Sequence, residues 1–306
     1  MRPDEALSLH GMSADQPPAD PDIARLFAPV AVEETFAGVL SEAAGVLGQI
    51  DDPVDAELWG SDLIGALAAS AAGQDSLMRA LAESLVPAAE AACTPESLAL
   101  LRVLAALGAP ALRAAAGQAA ARLRDRGVAD PPWAATLGAP RAGDCWHFAD
   151  VGGRHESLTM TFSYADQASH AGHPDHAGHP DQAGHADRSH TVSVLIDHGR
   201  GGKIRDAWVA KGTGLRAETE QAARDDPLVM FETIEAADAG RRLARAIAAG
   251  ECPEQPDQVD DVVAHRALLH ARLDLLLRLP TSGRSRVAPV DDDRLAAGLS
   301  PVISAA

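Results

Sequence analysis

Between Cys145 and Ala210 the chain alternates apolar and polar residues in four runs. In the clearest, Leu158, Met160, Phe162 and Tyr164 interleave with Ser157, Thr159, Thr161 and Ser163. That period of two predicts a strand with one wet face. Cys145 to Val151 precedes it across Gly152 and Gly153, which supply a tight hairpin turn. Thr191 to His198 forms the third run, and Gly199 to Gly202 turn it into the fourth, Lys203 to Ala210. The pattern predicts a four-stranded antiparallel β-meander. Its expected inner face carries Trp146, Phe148, Leu158, Met160, Phe162, Val192, Val194, Ile196, Ile204 and Trp208. A face that apolar needs helices over it.

Residues 22–130 read as an all-α lobe. Asp52 before Pro53, with Asp55 and Glu57 behind, marks a helix start, and Thr94, Pro95 and Glu96 repeat the arrangement. Leu77, Leu81 and Leu85 fall four apart, and Leu98, Leu101, Leu104 and Leu107 three apart, which gives each segment an apolar stripe. These helices fit a bundle or a HEAT-like stack, with no clear sequence period for the latter. Residues 131–144 read as a linker with Trp133 between the lobes. Residues 145–279 hold the meander and its covering helices, one near Glu218 to Arg224, one from Pro227 to about Ala249 and one from Gln258 to Leu279. Residues 1–21 read as a disordered leader and 280–306 as a loose tail. The expected fold class is therefore α+β.

The formal charge of −18 disfavours nucleic acid and anionic membrane surfaces. Lys203 and Lys211 are the only lysines, and the run of arginines from Arg113 to Arg126 fits a solvated helix face. Cys93, Cys145 and Cys252 lie far apart, so neither a disulfide framework nor a thiolate zinc knuckle is indicated. With no apolar run of membrane-spanning length, a cytoplasmic protein is expected.

Three stretches carry a resemblance: Pro131-Pro132-Trp133-Ala134; Ile196-Asp197-His198 with Gly201-Gly202 and Asp206-Ala207-Trp208; and Pro253 to Val259. Over residues 50–280 the chain resembles a group of proteins from high-GC actinomycete bacteria with which no activity is associated. The resemblance implies the architecture and no site. It also marks residues 165–190 as an insertion where such proteins pass directly from strand to strand.

That insertion is a decaying hexapeptide repeat holding His170, His173, His176, His179, His185 and His190. Histidines with interspersed Asp can bind zinc, nickel or copper. At roughly 3.1 Å per residue in an extended Pro- and Gly-rich chain, successive histidines sit about 9 Å apart. A metal needs ligands within about 2.1 Å of itself, so the expectation is weak binding at most, with no cofactor required. The competing reading is a passive insertion at a permissive hairpin tip.

The second candidate is Asp197 and His198 at the end of the third strand, with Asp206 on the fourth. Asp206 shares its spacing with Ile204 and Trp208, which places a carboxylate on the expected inner face, where it needs a partner. The three could form an acid/base site, as in a hydrolase, or a polar network that pins the Gly-rich turn. Gly199 to Lys203 leads into a strand, so no helix N-terminus awaits a phosphate. With no further catalytic pattern, the sequence favours a non-enzymatic protein-interaction or regulatory role whose partner is another protein. The alternatives are the Asp197/His198/Asp206 enzyme and metal binding by the insertion.

Overall fold

The structure is a computed structural model and describes residues 35–69, 73–165, 188–250 and 260–279. The leader, the tail, Cys252, Pro253 to Val259 and five of the insertion histidines (His170, His173, His176, His179 and His185) lie outside the described residues.

Both expected helix starts form. Asp52 accepts from the Val54 amide at 3.1 Å ahead of α2 (Pro53–Ala69). Thr94 and Ser97 exchange reciprocal side-chain bonds at the start of α5 (Pro95–Leu107), which satisfies amides that have no partner within the helix. Around them lie α1 (residues 35–46), α3 (Gln74–Ala80), α4 (Val86–Ala92) and α6 (Pro110–Asp125). A π-helical turn, Leu81–Leu85, joins α3 to α4. The leucine stripes of α3 to α5 are buried together, and Trp133 is fully buried in this same helical core.

The sheet has five strands, not four: β1 (Arg141–Asp150), β2 (His155–Ser163), β3 (Ser189–Asp197), β4 (Lys203–Lys211) and β5 (Val229–Ile234). Their order is β4-β3-β2-β1-β5, with every neighbouring pair antiparallel. The first four form the expected meander. The fifth overturns the helix expected from Pro227. Asp226 Oδ1 accepts from the Leu228 amide at 2.8 Å and turns the chain into an extended run. There, Val229, Phe231 and Thr233 suit a pleated surface. The helix begins only at α8 (Ala236–Gly250). Since β4 and β5 are opposite edges, α7 (Leu215–Asp225) carries the chain across, with Arg216 bonded to Asp144 of β1 and Thr233 of β5.

Two face assignments are corrected. Cys145 and His147 pair with Met160 and Leu158, so Trp146 and Phe148 lie on the opposite face from the expected one. Trp208, opposite Ser193, joins them there. A bulge in β4 causes the second correction. Asp206 pairs with Leu195 and Ile204 with Ile196, which leaves Arg205 as an extra residue. Asp206 and Ile204 therefore point to opposite faces, and the carboxylate is not on the inner one.

The inner face is closed by Ala239, Leu243 and Ala246 of α8 and by Val262, Leu269 and Leu276 of α9 (Asp260–Leu277). The other side of α9 belongs to the helical core through Ala267 and Leu268. Gly65 of α2 permits this, because a Cβ there would sit 2.6 Å from the Val263 carbonyl. Ser61 fixes the register by donating to the Ala264 carbonyl at 2.6 Å and accepting from the Leu268 amide at 3.1 Å. One helix thus serves both cores.

Candidate functional site

Glu156 is the second residue of β2 and shares the inward parity of Leu158 and Met160. It is a carboxylate on an apolar face, 7% exposed, and such a group persists only with partners. Three basic side chains surround it. His198 Nε2–H donates to Oε2 at 3.0 Å, Arg242 of α8 donates to Oε1 at 2.5 Å, and His147 Nδ1 stands 3.6 Å from Oε1. Burial alone would raise the Glu156 carboxyl, but the bonds from His198 and Arg242 outweigh it and hold the group below the usual carboxylate range. The site therefore contains a fixed anion. His147 Nε2 continues the chain of contacts to Glu232 of β5 at 2.8 Å.

His198 opens a 3₁₀ turn (His198–Arg200) that closes at Gly201 and Gly202, both in the left-handed region with φ of 82° and 78°. Only glycine adopts this at low cost, and the missing side chains leave one side of the imidazole uncovered. Nδ1 faces the Gly202 side, 3.8 Å from where a Cβ would stand, and in the neutral ring whose Nε2–H is given to Glu156 it is the nitrogen that carries the lone pair. This is a carboxylate-oriented imidazole with its free nitrogen on the open side. Beside it is a cleft of about 370 Å³, lined by Glu156, Ile196, His198, Gly201, Gly202, Arg242, Arg245 and Ala246. Two guanidinium groups against one carboxylate make it locally positive on a strongly acidic protein.

The residues expected to act together do not meet. Asp197 accepts from the Arg200 amide at 3.2 Å and stands near the guanidinium groups of Arg200 and Arg205, so it pins the turn. Asp206, on the opposite face, accepts from the Ala207 amide at 2.8 Å. Only His198 enters the cleft. Its partners Glu156 and Arg242 were missed, although Glu156 sits at the alternate spacing of Leu158 and Met160, the same signal that drew attention to Asp206.

A second polar cluster is sealed between the two cores. Glu57 of α2 accepts from the Gly138 amide at 2.8 Å, from the Tyr164 hydroxyl at 2.5 Å and from Arg272 of α9. Arg272 also donates to Tyr164 and to His190 Nε2, each at 3.0 Å, and lies over the Phe162 ring. Burial would lower the Arg272 pKa, but the Glu57 carboxylate outweighs it and the net shift is upward. Burial, with some help from Glu57, drives the Tyr164 hydroxyl well above its ordinary range. His190 is pushed down to about 3, first by burial and then by Arg272. It is a neutral acceptor stacked between Phe162 and Tyr164, and its Nε2 is occupied. His190 is thus withdrawn from the expected metal set. Among the described residues no group of three or more His, Cys, Asp or Glu is arranged to hold a metal.

Compared with protein-family models, curated proteins and solved structures, the chain matches none. Among the described residues, no helix is long and apolar enough to cross a membrane.

Proposed function

We propose that the protein binds a small carboxylate- or phosphate-bearing ligand in the cleft beside His198, and that this imidazole acts there as a proton acceptor. One observation carries the reading: an imidazole fixed by a buried carboxylate opens onto a cleft that also holds Arg242 and Arg245. Arg245 neutralises the ligand's charge, Arg242 holds both Glu156 and the near side of the ligand, and Glu156 keeps Nδ1 of His198 free for a proton. The reaction class is proton abstraction, from the ligand or from a water beside it. Calorimetry with inorganic phosphate tests the binding step. Saturable heat in the wild type, weakened about tenfold or more in Arg245→Ala, supports the reading, while equal heats in the two proteins contradict it.

A protein-interaction role is the second reading, favoured by the β5 edge of the sheet. Leu228, Met230 and Val151 are exposed together where β5 begins, and β5 has a strand on one side only among the described residues. An extended peptide segment of a partner protein could add there as a sixth strand. A photoreactive residue at position 230 should crosslink a discrete partner in living cells. An equal pattern from position 124, on an exposed helical face, would contradict this.

A further inference from the structure

A separate cavity of about 260 Å³, sharing no residue with the His198 cleft, lies between α2, α3, the α5–α6 turn and α9. Small residues leave this space. Gly65 and Ala68 of α2, Gly108 and Ala109 of the turn and Ala267 of α9 all line it, and none carries more than a methyl group. The larger apolar side chains in the wall are those of Ile64, Met78 and Leu107. Met78 is unbranched and readily changes rotamer, so its part of the wall can conform to an occupant. Arg113 and Asp274 are both substantially exposed, which places them at the mouth.

Among the described lining residues, no charged group is left over for a ligand. Arg113 pairs with Asp274 at 3.2 Å and donates from Nε to the Gly108 carbonyl at 3.3 Å. Arg266 and His270 have interaction partners too. An ionic head would therefore be stripped of water with no counter-charge in return.

We propose that this cavity binds an uncharged, mainly apolar small molecule of roughly ten non-hydrogen atoms, with at most one hydroxyl, placed at the mouth. The side chains of Ile64, Ala68, Met78 and Leu107 offer a polar body no hydrogen-bond partner, whereas an apolar one supplies the dispersion contacts that a void denies its lining. Size limits the occupant. A cavity of about 150 Å³ holds a benzene ring, which scales to the size given for 260 Å³. 1-Octanol is close to that size.

The chain has only five methionines, so the Met78 methyl group can be followed by ¹³C NMR in the full chain, assigned through Met78→Leu. A saturable shift of that signal with 1-octanol is expected, with octanoate and octylammonium, of similar size and opposite charge, each binding more weakly by about tenfold or more. Affinity should rise from 1-hexanol to 1-octanol and stop rising by 1-dodecanol, which is too long for the cavity. Ala68→Leu, which fills the wall, should remove the octanol response. An unmoved Met78 signal overturns the proposal. Either ion binding as tightly as octanol overturns the uncharged assignment, and an affinity that keeps climbing through dodecanol, or an unchanged octanol response in folded Ala68→Leu, shows adsorption outside the cavity and overturns the site. Should Ala68→Leu fail to fold, the chain-length series on the wild type decides the site alone.

Discussion

Glu57 of α2 and Arg272 of α9, 215 positions apart in the chain, form an ion pair whose side chains are 0% and 1% exposed. Such a pair costs several kcal/mol to desolvate and is held by its geometry and by the bonds around it. Glu57 has those bonds from Gly138 and Tyr164, and Arg272 has His190. Removing one partner leaves the other charged and buried. Arg272→Met should therefore lower unfolding free energy by about 3–5 kcal/mol, and the double variant Glu57→Gln, Arg272→Met should regain at least half. Urea denaturation measures both, and a double variant no better than the single one would show that the pair is not the unit.

His190 sets a pH dependence whose sign follows from its environment. In the folded protein burial and Arg272 hold it neutral down to about pH 3, while the unfolded chain protonates it near 6.5. Between those values the unfolded state binds the extra proton, so stability falls as pH falls, by up to about 1.4 kcal/mol per pH unit. His190→Gln should show a shallower loss between pH 6 and 4, read from urea midpoints at each pH. Parallel profiles for the two proteins would contradict the assignment.

The cysteines divide by reactivity. Cys145 lies in the sheet core, where burial, then Asp144 and Glu235, push its thiol up to about 12, whereas Cys93 is exposed. At pH 8, iodoacetamide should label Cys93 within minutes and leave Cys145 unmodified until the protein is unfolded. Peptide mass mapping checks this. Native labelling of Cys145 at a comparable rate would mean that the β1–α8 packing opens readily.

The insertion is framed by a closed hairpin mouth, since the Tyr164 amide donates to the Arg188 carbonyl at 3.3 Å and Ser163 pairs with Ser189. Its ends are already side by side. Replacing residues 166–187 with Asn-Gly should keep the melting temperature within a few degrees. A larger fall in differential scanning calorimetry would show that the segment packs on the fold.

Much of the architecture is legible in the sequence because it rests on local signals. The proline-led helix starts at Asp52 and Thr94, the leucine stripes and the alternation of β2 need no long-range information. What was missed depends on contacts between distant segments. The extra residue at Arg205 flips Asp206 to the outer face, and nothing in the alternation of β4 announces a bulge. Asp206→Ala is accordingly expected to change stability by less than about 1 kcal/mol, since only its neighbour's amide is lost. β5 was concealed by Pro227, which opens strands and helices alike. The cleft was half visible: His198 stood out beside its glycines, but Glu156 and Arg242 are 86 positions apart and meet only because α8 crosses the inner face.

The proposed function turns on the state of one ring nitrogen, which ¹⁵N NMR of the histidine side chains reports directly. The His198 signals, assigned through His198→Gln, should show Nε2 protonated and Nδ1 bare at pH 7.5, and inorganic phosphate should move them saturably. In Glu156→Gln the tautomer preference should weaken, and in Arg245→Ala the phosphate response should be largely lost. A His198 ring that carries its proton on Nδ1, or that phosphate leaves unmoved, would contradict the proposed function.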